Sequence, residues 1–223
     1  MITAEAFAKR PSTWRNLTPS LEQYTRWANL HLLKFAKPLY SSHNSERSAL
    51  ISEAAFHALA SDHDDIEPAD QAAAHQSLSR LPGKPLGAPQ LSAFELDEAK
   101  AILWRLEAFV RGRPDSVLVR PEFKGCGLVE PAVGDLLIGT DLVEVKSVAR
   151  SLRSADFCQL LTYAAMDYAA GNRRIARLVI LNPRAGHLFR ADADELALDI
   201  GAASWVDLME LLVGEMAGPA VSV

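Results

Sequence analysis

Residues 134–146 read Gly-Asp-Leu-Leu-Ile-Gly-Thr-Asp-Leu-Val-Glu-Val-Lys, two short apolar runs that carry two carboxylates and an ammonium. If Gly139-Thr140 is the two-residue turn of a hairpin, 138 falls opposite 141, 137 opposite 142, 136 opposite 143 and 135 opposite 144. Asp135 and Glu144 then become cross-strand neighbours with Cβ atoms roughly 4.5–5.5 Å apart. Strand alternation puts Lys146 on the same face. Like charges directly opposite each other destabilise a sheet, so the arrangement calls for a reason. A divalent cation supplies one, because Mg²⁺ favours carboxylate oxygens and retained waters. It would lower the pKa of an attacking water and stabilise charge on a phosphoryl oxygen. Lys146 would orient that water or neutralise the developing charge. The plainer alternative is a solvated hairpin face on which Lys146 screens the two acids.

Gln159 and Tyr163 follow at i and i+4, one face of a helix. An Asp, a Glu-x-Lys strand and a following Gln-x-x-x-Tyr helix resemble the motifs of the PD-(D/E)XK nuclease superfamily, most of all its RecB-like branch. The resemblance covers roughly residues 92–183. It implies an α/β fold, a restriction-endonuclease-like mixed sheet flanked by helices. Asp135 and Glu144, with the Val145 carbonyl, would hold Mg²⁺ (or Mn²⁺), and Lys146 would position the nucleophilic water. Gln159 and Tyr163 would orient the site or touch the substrate strand. The implied activity is that of a Mg²⁺-dependent deoxyribonuclease hydrolysing DNA phosphodiester bonds by metal-activated water. Such cores serve as cleavage modules in restriction, anti-phage defence or recombination and repair systems, which implies protein partners; a homodimer is a further arrangement.

The chain departs from the family pattern in three ways. Gly134 precedes Asp135, so the Pro of the "PD" is absent. Relatives with an iron–sulfur cluster need more cysteines than Cys126 and Cys158, so no such cluster is expected. Many members also carry a Glu on the helix before the first strand; Glu107 and Glu98 are both candidates, and the spacing does not decide between them.

Other residues compete for roles. Lys124 and Glu122 flank a Gly-Cys-Gly turn at 125–127 whose glycines allow close approach to a phosphate or a sharp bend. Cys126 has no supporting His nearby and reads as a turn-lining thiol. Arg150 and Arg153, just past the Glu-x-Lys strand, are candidates for phosphate contacts, or are ordinary surface arginines. His63-Asp64-Asp65 superficially resembles a metal-phosphohydrolase pair but sits in a polar loop. Trp14, Trp27, Trp104 and Trp205 are scattered and read as core.

The elements that must position these residues follow from periodicity. Helices are expected from Ser20 through Leu32, from near Asn44 to Leu59, and over 68–79. Residues 1–80 thus form a helical region suited to docking, dimerisation or DNA selection. Three prolines and two glycines in 81–89 mark a linker, taken as 81–91. Residues 92–223 form the core. It opens with a capping box at Ser92-x-x-Glu95 and a helix to about Val110. Strands follow at 116–123, 134–138 and 141–148, then a helix over 154–170 and a strand over 175–181 dense enough in Val, Ile and Leu for burial on both faces. A small strand at 187–190 and a helix over 205–212 close the chain.

The chain of 223 residues is 49% hydrophobic and 23% charged, the mixture of a globular protein rather than a fibrous or disulfide-stapled one. No run approaches the about 18 apolar residues that span a membrane, and the first residues lack a signal-peptide pattern, so a cytoplasmic location is expected. The net charge of −5 argues against nucleic acid until it is divided by region. Residues 104–190 hold 13 Lys and Arg against 9 Asp and Glu, a locally basic stretch. Two other readings compete. A catalytically inactive member of the fold would bind nucleic acid or scaffold a complex, yet has no need to keep like charges face to face. An interbacterial nuclease toxin would need an export route that uses no leader.

Overall fold

Alternation along the 134–146 hairpin decides which side chains face each layer of the molecule. The structure, a computed structural model, describes residues 1–39, 47–80, 87–113 and 115–218. The first elements are α1 (Ala4–Ala8), α2 (Pro11–Leu17), α3 (Leu21–Leu30), β1 (Leu33–Lys34), α4 (Ser48–Ala60) and α5 (Pro68–Ser79). Then come α6 (Ala93–Arg111), β2 (Val117–Val119), β3 (Glu122–Phe123), β4 (Ala132–Val133), β5 (Leu136–Ile138) and β6 (Asp141–Val145). The chain ends with α7 (Ser154–Ala169), β7 (Arg177–Asn182), β8 (His187–Asp192), α8 (Ala193–Asp199) and α9 (Trp205–Ala217).

The fold is mixed α/β. Six strands form one sheet in the order β1-β8-β7-β6-β5-β2, and β3 pairs with β4 in a small second sheet. Among the described strands only β6 and β7 pair in parallel; α7 makes the crossover between them. From Leu178 to Asn182, β7 is buried on both faces, as its composition requires. One face of the sheet presents Leu137, Leu142, Leu178, Ile180 and Phe189 to α1–α3 and α7–α9. The other presents Leu136, Ile138, Val143, Val179 and Leu181 to α4–α6. The described residues of 1–80 are therefore woven into both layers: α1 packs along α7, α4 against α6, and β1 extends the sheet beside β8. The early helices and the elements after residue 92 share both hydrophobic cores, α1–α3 with α7–α9 on one sheet face and α4–α5 with α6 on the other.

Several boundaries moved for local reasons. The strand expected over 116–123 breaks into β2 and β3 at Arg120, which adopts φ +57°, and at Pro121, which has no N–H for a ladder. The strand expected over 141–148 stops at Val145, and the closing helix runs on to Ala217. The helix expected from Asn44 is seen from Ser48; residue 44, and residues 81–86 of the linker, lie outside the described residues. The box at Ser92 and Glu95 forms, with the Ser92 N–H donating to Glu95 Oε2 at 2.8 Å. Among the described residues no helix is long and apolar enough to cross a membrane.

Candidate active site

The hairpin has the register that its turn demands, with Leu136, Leu137 and Ile138 facing Val143, Leu142 and Asp141. Gly139 takes φ +56° in that turn, a conformation open to glycine at no steric cost. Continued by one residue, the register sets Asp135 opposite Glu144. Asp135 Oδ2 accepts the Val145 N–H at 2.7 Å, which clamps the acid against the end of β6. Lys146 Nζ donates to Glu144 Oε1 at 2.7 Å and to Gln159 Oε1 at 2.8 Å. Gln159 Nε2 in turn donates to the Tyr163 hydroxyl at 3.0 Å. A polar chain thus runs from β6 to one face of α7, joining Glu144, Lys146, Gln159 and Tyr163. The Tyr163 ring stacks on Phe123 with centroids 5.2 Å apart. A Cβ at Gly134 would stand 2.8 Å from that Phe123 ring, so the residue before Asp135 has no room for a side chain.

Glu144 is buried, and the site holds two carboxylates against one ammonium. Burial, opposed by the Val145 N–H and Lys146, pushes the Asp135 carboxyl up to about 6. Burial and then the Asp135 charge push Glu144 up to about 8, although Lys146 pulls it down. Lys146 is desolvated too, yet Glu144 and Asp135 more than compensate and hold it above its ordinary value. The ammonium therefore stays charged, and the surplus negative charge falls on the carboxyl pair, which needs a proton or a cation. Burial raises the Tyr163 phenol out of the physiological range, so it remains a neutral hydrogen-bonding group.

The two candidate helix acids lie elsewhere. Glu98 forms a buried ion pair with Arg184, and Glu107 bonds Arg111 one turn along α6 at 3.3 Å. The helix acid whose charge is felt at the site is Glu53 on α4, a minor contribution to raising Asp135. Arg120 Nη2 bonds Glu53 Oε1 at 3.1 Å and lies 3.1 Å from His57 Nε2, while the Arg120 N–H donates to the Asp135 carbonyl at 2.8 Å. Burial, reinforced by Arg120, lowers the His57 pKa. The i, i+4 spacing of Glu53 and His57 was a visible signal; their approach to a hairpin some eighty residues away was not.

Lys124 and Glu122 are exposed near β3. Arg150 forks onto Asp156, Nη1 to Oδ2 at 2.7 Å and Nη2 to Oδ1 at 2.8 Å, and so braces the first turn of α7. Arg153 is exposed at the N-cap of that helix. The Gly-Cys-Gly segment is a turn held to the end of α9 by the Leu128 N–H and the Met216 carbonyl at 2.7 Å. Burial raises the Cys126 thiol above its ordinary pKa, which suits a turn-lining thiol rather than a nucleophile. His63, Asp64 and Asp65 disperse to Asp70, Arg111 and Lys100 respectively. Trp14 is core, whereas Trp27 and Trp104 are largely exposed, the latter on the outer side of α6.

Among the described residues no three His, Cys, Asp or Glu side chains converge as a metal cage. The donors at hand are two carboxylates and a backbone carbonyl, all oxygen. That set fits Mg²⁺, which is commonly held by one or two carboxylates with waters and substrate phosphates completing its shell. Comparison with protein-family models, curated proteins and solved structures returns no match for this chain, so its function must be read from the site.

Proposed function

We propose that this chain is a Mg²⁺-dependent deoxyribonuclease of the PD-(D/E)XK type. The observation that carries the reading is the half-buried Asp135 set in register with the buried Glu144, which is tied through Lys146 and Gln159 to Tyr163. Asp135, Glu144 and the Val145 carbonyl would hold the cation, which supplies a lowered water pKa and neutralises charge on the phosphoryl oxygen. Lys146 has three N–H donors, two of them committed to Glu144 and Gln159. The third is left to donate to the attacking water or to a phosphoryl oxygen. A permanently charged ammonium suits that donor role and not that of a base. Gln159 fixes Lys146, and Tyr163 fixes Gln159, so both act as positioning residues.

Such a module fits a restriction, defence or repair assembly with DNA as substrate. The test is incubation of the purified chain with linear, circular and single-stranded DNA and with RNA, in Mg²⁺, Mn²⁺ or EDTA. Metal-dependent DNA cleavage lost in Asp135→Ala and Lys146→Ala is the expected result. Cleavage unchanged in both variants would refute the site.

A further inference from the structure

A cleft of about 690 Å³ opens between α1–α2, α3 and the first turns of α7. Lys9, Arg10, Arg15 and Arg26 line it against one acid, Glu22. Among the described residues none of the three arginines pairs with a carboxylate: Arg26 Nε reaches only the Glu22 carbonyl at 3.4 Å, and Arg10 lies over the Phe7 ring. Many arginines elsewhere are neutralised, as Arg150 is by Asp156 and Arg177 by Asp141. The concentration of charge is regional. Residues 1–39 hold 6 Lys and Arg against 2 Asp and Glu, whereas residues 40–103 hold 4 against 10.

The cleft shares α7 with two of the candidate catalytic groups. Cys158 lies on its wall and Gln159 is the next residue of α7, turned to Lys146. The two sites thus occupy adjacent faces of one helix, successive residues being turned by about 100° at 3.6 residues per turn. We infer that the cleft binds the phosphodiester backbone of the nucleic-acid strand being cut, with Arg10, Arg15 and Arg26 each meeting phosphate. Phosphate contacts of this kind position a strand without reading its sequence. This inference deepens the nuclease reading and rests on it for the identity of the strand.

The test is fluorescence anisotropy with a short labelled single-stranded DNA in EDTA, where no turnover occurs. Arg10→Ala/Arg15→Ala/Arg26→Ala should weaken binding by about tenfold or more and flatten the slope of log K against log salt by about 2, at ~0.7 per lost contact. Arg15→Glu/Arg26→Glu, which spares the half-buried Arg10, should weaken it likewise if the triple variant fails to fold. A control with equal charge removed from the α5–α6 side, Arg80→Ala/Lys100→Ala/Arg111→Ala, should bind nearly as the wild type does. Unchanged affinity in both cleft variants, or an equal loss in the control, would overturn the cleft. So would a mononucleotide that binds as tightly as the oligonucleotide with the same loss in the variants. Cleavage in Mg²⁺ separates the two readings: wild type that binds through the cleft and cuts nothing overturns the nuclease alone, and wild type that cuts but binds equally well without the arginines overturns the cleft alone.

Discussion

Glu144 sits between a carboxyl that repels it and an ammonium that attracts it, and burial tips the balance toward the neutral form. A carboxyl raised on folding stabilises the protein fully only below its unfolded pKa, near 4, and that contribution is lost as pH rises through the folded value. The metal-free protein should therefore lose thermal stability between about pH 4, the unfolded carboxyl value, and about 8, the raised Glu144 value. Asp135→Asn should flatten that decline, and Mg²⁺ at pH 8 should raise the Tm of the wild type but not of the variant, as differential scanning fluorimetry would show. Parallel pH profiles for the two proteins would contradict the pairing. Glu53 gives a second prediction. Glu53→Gln removes a negative charge that acts on Asp135, so the Mg²⁺ concentration for half-maximal cleavage should rise several-fold, while Glu107→Gln should leave it unchanged; metal titrations of cleavage rate decide.

At the scale of elements, α7 is the part whose placement makes the site, since it carries Gln159 and Tyr163 and crosses from β6 to β7. Its first turn is braced by Asp156, which takes the Arg150 fork and the Arg153 N–H at 2.8 Å. Burial is the largest single influence and would raise Asp156, but the Arg150 hydrogen bonds, the Arg153 N–H and the charges of Arg150 and Lys146 together outweigh it, and its pKa is lowered. A carboxyl lowered on folding contributes stability above its unfolded pKa and loses it as pH falls through the folded value. Asp156→Asn should cost about 1–3 kcal/mol near pH 7, as for hydrogen bonds to charged groups, and the gap should close below pH 4. A gap equally wide at pH 3 in urea titrations would contradict this bracing. The hairpin and α7 were legible in sequence because a Gly-Thr turn, period-two alternation and an i, i+4 Gln–Tyr pair are local signals. The break at Arg120 was not, since it depends on one residue's positive φ. Nor were α1 and α2, which at 5 and 7 residues are too short to declare themselves without the α7 face on which they pack. Glu53 was missed for a related reason, as only tertiary packing carries α4 to the hairpin.

Across the whole molecule, the sheet is covered on each face by helices from both halves of the chain. The 92–223 segment expressed alone would expose Leu136, Ile138, Val143 and Val179, the face that α4 and α5 help to cover. That fragment should bind a hydrophobic dye and lack dispersed amide NMR signals, whereas a natively dispersed spectrum would show that residues 1–91 are dispensable. Charge is divided on the same scale: residues 1–39 are basic and residues 40–103 acidic, and α1–α3 line the α7 side of the sheet while α4–α6 line the opposite layer. In the proposed mechanism Asp135, Glu144 and Lys146 act as one catalytic unit. It is tested most directly by single-turnover cleavage of labelled DNA in Mg²⁺ by the wild type, Asp135→Asn and Lys146→Ala, each checked for an intact thermal transition. Loss of about 10²–10³-fold or more in rate in each folded variant is the predicted result, and folded variants that cleave at the wild-type rate would contradict it.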